Sequence, residues 1–120
     1  HHPTAIKSTL EGLRAKVGDD FILAIIEPRS ATMKMGVHQQ TLASSVKSAD
    51  QVLWYQNAAI DWDMASLSDA IEISSMIINK LDDLIEATVN LAHSNVHIVI
   101  MSNGGFEGFH KKLSNAIKSL

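Results

Sequence analysis

Phe21-Ile22-Leu23-Ala24-Ile25-Ile26 runs directly into Glu27-Pro28-Arg29-Ser30-Ala31-Thr32-Met33-Lys34. The unbroken apolar hexamer is the pattern of a strand buried on both faces, as found inside a parallel sheet. Pro28 stops that strand, because it has no N–H to give a ladder. Beyond it, apolar residues recur at helical spacing. Arg29, Ser30, Thr32 and Lys34 therefore crowd a turn between a strand's carboxyl end and a helix's amino end. A guanidinium, two hydroxyls and an ammonium at such a turn form an anion receptor. The same residues also suit a plain helix cap by Ser30 or Thr32 with solvated cations.

Working outward, the amino-terminal side reads as one amphipathic helix. Pro3 fits its first position, where an N–H has no intrahelical use. Ile6, Leu10, Leu13 and Val17 mark one apolar face, and Gly18 with Asp19-Asp20 ends it. On the other side, Met35, Leu42, Val46 and Ala49 mark the inner face of a second helix. Gln51 to Tyr55 is a second strand, and Gln56 to Asp63 a loop holding Asp61-Trp62-Asp63. Two carboxylates flanking an aromatic suit acid–base or metal chemistry, but with no third ligand in reach they read as a solvated loop. Met64 to Ala70 fits a short helix, and Ser75 to Ile78 a weak strand. Asn79 reads as the N-cap of a helix whose Asp82 and Asp83 favour its positive end, with Leu81, Leu84, Ile85, Thr88 and Ala92 buried. Val96 to Met101 is the fourth strand, with His97 as a hydrogen-bonded core or edge histidine. Phe106, Phe109, Leu113, Ile117 and Leu120 line a terminal helix.

Strands alternating with helices need crossovers, and crossovers are right-handed. The expected fold is α/β: a Rossmann-like, mostly parallel sheet with helices on both faces. The 120 residues make one domain with a single core. A net charge of −3 leaves no basic footprint, which disfavours nucleic acid and anionic membrane as partners. The absence of cysteine excludes disulfides and thiolate metal sites. No apolar run approaches the ~18 residues of a membrane span, and no signal-peptide pattern opens the chain. A cytoplasmic domain is expected.

A second stretch, Ser102-Asn103-Gly104-Gly105-Phe106-Glu107-Gly108, joins the fourth strand to the last helix. Its glycines allow close backbone approach and leave amides aimed at a ligand. As a dinucleotide fingerprint it is weak, since Asn103 replaces the first glycine and the stretch follows the last strand. A tight strand–helix turn is the alternative. In a parallel sheet the Arg29 and Asn103 turns open on the same carboxyl-end edge, where ligands of open α/β sheets bind. No G-x-x-x-x-G-K-[ST] loop and no Ser-His-Asp or metal-ligand spacing is present. Spacing alone reaches an anion-binding α/β module.

Three stretches together resemble the carboxyl-terminal domain of the Mur ligase family: His1-His2-Pro3-Thr4-Ala5-Ile6, Glu27 to Gly36, and Met101-Ser102-Asn103-Gly104-Gly105-Phe106. Order and spacing agree along essentially the whole chain. It departs from the family pattern at Ala31, where Asn is commoner, at Glu107, where a small residue is usual, and at Ala5, where many siblings carry Glu. With the resemblance in view, His1-His2 reads as motif in preference to the remnant of a purification tag.

The resemblance implies that residues 1–120 are one domain of a three-domain enzyme whose UDP-sugar and central ATPase domains are absent from this fragment. It implies an ATP- and Mg²⁺-dependent ligase that activates the lactyl carboxylate of UDP-N-acetylmuramate as an acyl phosphate, which the incoming amine attacks. The member matched best takes that amine from L-alanyl-γ-D-glutamyl-meso-diaminopimelate, the murein tripeptide, in peptidoglycan recycling. This domain closes over the ATPase domain and presents the peptide; by itself it holds no cofactor and is inactive. Arg29 would grip a carboxylate with two parallel bonds, which lysine does less well. Ser30, Thr32 and Lys34 would bind further carboxylates, and the amides of Asn103, Gly104 and Gly105 a second polar group. His1 and His2 would act near the reaction centre, as phosphate contacts or hinge, while His38 and His110 fit the rim or solvated helix positions. Other readings stay open: a sibling that adds L-alanine to the same sugar nucleotide, a stand-alone anion- or nucleotide-binding module, and a structural subunit whose turns are only caps.

Overall fold

The structure is a computed structural model that describes residues 3–27, 42–56, 71, 73–92 and 95–101. The first element, α1 (Pro3–Val17), has proline at its first helical position, as the sequence predicts. Ile6 and Leu10 are fully buried, and Leu13 and Val17 pack against the same core, so the four-three-four spacing is the buried stripe. Gly18 ends the helix with φ +64° and donates its N–H to Arg14 O at 3.0 Å. Left-handed backbone is open to glycine and strained for a side chain.

Among the described residues four strands follow: β1 (Phe21–Ile26), β2 (Gln51–Tyr55), β3 (Ser74–Ile78) and β4 (Val96–Met101). All pair in parallel, in the spatial order β3-β2-β1-β4. β1 lies between β2 and β4, so both its backbone edges are paired and both its faces can be covered. Ile22, Ala24 and Ile26 enter one core, and Leu23 and Ile25 the other. The hexamer is thus buried on both faces from Ile22 onward. Phe21, expected inside, is 38% exposed, because it stands at the open amino end of the sheet. β3 starts at Ser74, one residue before the predicted start, and leaves Ser74 and Met76 exposed. As the outermost described strand on its side, it has only β2 beside it.

Both faces carry helix. α1 and Leu42, Ala43, Val46 and Ala49, around a helical turn at 42–45, pack with Val52 and Trp54 on one face. The second labelled helix, α2 (Leu81–Leu91), packs with Leu53, Tyr55 and Ile78 on the other. Handedness explains the division. The chain steps from β1 out to β2, then returns from β3 across the sheet to β4, and right-handed crossovers in opposite directions put their helices on opposite faces.

α2 corrects two expectations. Asn79 is not the N-cap; that place belongs to Lys80, extended at φ −124° and ψ 133°, with no side-chain cap bond. Asp82 and Asp83 do occupy the first turn, where negative charge suits the helix dipole. The helix stops at Leu91, and Ala92 is its C-cap. Thr88 belongs to the buried stripe because its hydroxyl donates to Leu84 O at 2.7 Å, which satisfies the group without water. The helix expected to begin near Met35 up to Thr41, Asp61-Trp62-Asp63, the helix at 64–70 and the terminal helix from Phe106 lie outside the described residues. Among the described residues no helix is long and apolar enough to cross a membrane.

Candidate functional site

The carboxyl ends of β1 and β4 stop level with each other. Ile26 pairs with Met101 in register, and the Glu27 N–H donates to Met101 O at 2.9 Å, one residue beyond β1. This is also where the winding direction reverses, since β2 lies on one side of β1 and β4 on the other. In open α/β sheets such a switch point is the ordinary place for a ligand, because the loops leaving the two strands diverge and open a crevice. Pro28-Arg29 follows Glu27 directly, and Ser102-Asn103 follows Met101. The structure therefore brings together the strand ends from which both anion-friendly stretches depart. Glu27 itself is a buried carboxylate, 7% exposed, at the root of the first stretch.

Arg14, in the last turn of α1, bonds Asp50 beside the start of β2, so that end of α1 sits at the amino-terminal edge. A 15-residue helix is about 22 Å long and a six-residue strand about 20 Å. The other end of α1, with the turn that Pro3 opens, packs through Ile6 into one core with Ile26 and Met101, at the carboxyl ends of β1 and β4. His1 and His2 immediately precede that turn. The side chains named from sequence (His1, His2, Arg29, Ser30, Thr32, Lys34) and the glycine-loop residues Asn103, Gly104 and Gly105 lie outside the described residues, as do His38 and His110.

The opposite edge holds a polar network that the sequence reading missed. Arg14 donates from Nε to Ser48 O (3.0 Å), from one terminal nitrogen to Gly18 O and Asp20 O (both 2.8 Å), and from the other to Asp50 Oδ2 (2.7 Å). The same carboxylate oxygen accepts the Ile22 N–H at 2.8 Å, while the Asp50 N–H donates to Ile22 O at 2.9 Å. Partial burial, the largest influence on Asp50, opposes its ionisation. The Ile22 N–H and the Arg14 hydrogen bond and charge together outweigh burial, and the carboxyl is held below its usual range. His97 Nε2 lies 3.1 Å from Asp20 Oδ2, so the histidine is the hydrogen-bonded edge residue that the sequence predicts. Arg14 and Asp50 stand 36 residues apart, and no local pattern links them. The available signal was an arginine in the last helical turn, which reads only as a partner for the helix dipole.

No family model matches the chain. It is 44% identical over 118 residues to the UDP-N-acetylmuramate–L-alanyl-γ-D-glutamyl-meso-2,6-diaminoheptandioate ligase of Escherichia coli (strain K12), covering 98% of this chain and 26% of that protein. The crystal structure of a murein peptide ligase from Psychrobacter arcticus 273-4 superposes with a TM-score of 0.89 at 43% identity, over 100% of this chain and 26% of that one. The crystal structure of a domain from a putative UDP-N-acetylmuramate:L-alanyl-γ-D-glutamyl-meso-diaminopimelate ligase of Haemophilus ducreyi 35000HP superposes with a TM-score of 0.81 at 39% identity, over 98% of this chain and 85% of that one. The chain belongs to the murein peptide ligases of the Mur ligase family. Its four-stranded parallel sheet with helices on both faces is the fold of the Mur ligase carboxyl-terminal domain. The chain spans about a quarter of the length of the curated murein peptide ligases it matches.

Proposed function

We propose that this chain is the carboxyl-terminal, peptide-presenting domain of an ATP-dependent ligase that joins UDP-N-acetylmuramate to L-alanyl-γ-D-glutamyl-meso-diaminopimelate in peptidoglycan recycling. The observation that carries this reading is the 44% identity over 98% of the chain to the Escherichia coli ligase named for those substrates. The fold supports the division of labour. ATP with Mg²⁺, held by a central ATPase domain of the same enzyme, supplies the phosphoryl group that activates the sugar's lactyl carboxylate. This chain has no P-loop pattern, and its residues are assigned to the acceptor.

The tripeptide is rich in carboxylates, and the cationic and amide-rich stretches leave adjacent strand ends. Arg29 grips one carboxylate in a bidentate pair, with Ser30, Thr32 and Lys34 available to others. The amides of Asn103, Gly104 and Gly105 hold a second polar group of the peptide. His1 and His2 mark the crossing from the ATPase domain and act at the closed interface, as phosphate contacts or as the hinge. The contribution is orientation: the peptide's amine is held against the activated carboxylate with water excluded on closure. The 120 residues by themselves turn nothing over, and the enzyme works in the cytoplasm.

The test is ATP-dependent phosphate release by the full-length protein, with UDP-N-acetylmuramate and either the tripeptide or L-alanine. Release that needs both the sugar nucleotide and the tripeptide is expected. Release with L-alanine in place of the tripeptide would move the protein to the UDP-N-acetylmuramate–L-alanine ligases, 28% identical to this chain in Leuconostoc mesenteroides. No release from folded protein would leave an anion-binding module.

A further inference from the structure

We draw no further inference here: the strongest candidate, the depression at the amino-terminal edge of the sheet where partly exposed Phe21 and Val96 lie beside Asp19, Asp20, Gln51 and Leu91, is an apolar surface with an acidic rim, and nothing in the structure shows what covers it.

Discussion

One arginine is bonded at the amino-terminal edge of the sheet, and another follows the carboxyl-terminal edge in the sequence. Arg14, at the amino-terminal edge, gives its donors to three backbone carbonyls and to Asp50, all within 3.0 Å. Those acceptors belong to the α1–β1 turn and to the approach to β2, so the guanidinium ties three pieces of backbone together. Arg29 follows Glu27-Pro28 in the sequence, after the carboxyl end of β1, and that strand end is where the strand order reverses. The same chemical group closes the scaffold at one edge and, in the proposed reading, receives substrate at the other. The difference teaches that residue type alone does not assign a role. What matters is whether folded backbone already supplies the acceptors, and in a parallel sheet tight turns supply them at the amino edge while the carboxyl edge opens into a crevice.

If the edges have separate jobs, substitutions should divide cleanly between activity and stability. The largest effect is expected from Arg29→Ala in the full-length protein. Losing a bidentate, charge-assisted pair should lower kcat/KM for the tripeptide about 100-fold, or about 2.8 kcal/mol, with the thermal midpoint unchanged. Phosphate-release kinetics beside a melting curve measure both quantities. A large fall in the midpoint would erase the contrast between the arginines.

Asp50→Ala should do the reverse. It strips the acceptor from the Ile22 N–H and from Arg14, whose pair with Asp50 is 30% and 38% exposed on its two side chains. Solvent screening limits the ion pair to about 1 kcal/mol or less, and most of the loss comes from the orphaned N–H. Urea unfolding of this chain should show a decrease of about 1–2 kcal/mol, and the full-length variant should keep its kcat/KM for tripeptide. Asp50→Asn probes the smallest effect, the charge itself. A carboxyl held below its usual range in the folded protein adds stability that is present at neutral pH. That stability is lost as the pH falls below about 4, through the folded value. Unfolding curves collected from pH 6 downward should therefore be flatter for Asp50→Asn than for the parent.

Much of the scaffold is legible in the sequence because burial on both faces writes itself as unbroken apolar runs. Ile22 to Ile26 and Val52 to Tyr55 needed no periodicity argument, and β4 ends at Met101 as expected. α1 was equally plain from its stripe, its leading proline and its terminal glycine. The errors fall at ends, where one residue's choice depends on neighbours distant in sequence. Phe21 shares the composition of its strand but stands at the sheet's open end, and Asn79 has capping chemistry one position too early. That the strand ends leading into the Arg29 and Asn103 stretches lie on one edge was also readable, since parallel strands send alternate loops to one edge. Glu27 is less readable. A glutamate beside a proline carries no local sign of burial, yet Glu27 is 7% exposed, next to the end of a strand paired on both sides. The Arg14–Asp50 pair is wholly tertiary, and its one mark in the sequence, an arginine in the last helical turn, does not point to Asp50.

The most direct test of the carboxyl-edge assignment is photo-crosslinking in the full-length ligase. A tripeptide carrying a diazirine on its third residue would be irradiated with UDP-N-acetylmuramate and a non-hydrolysable ATP analogue, and the adducts mapped by peptide mass spectrometry. Adducts concentrated within residues 27–34 and 101–105 are predicted. Adducts at residues 14–22 and 48–51, or wholly outside these 120 residues, would contradict the account.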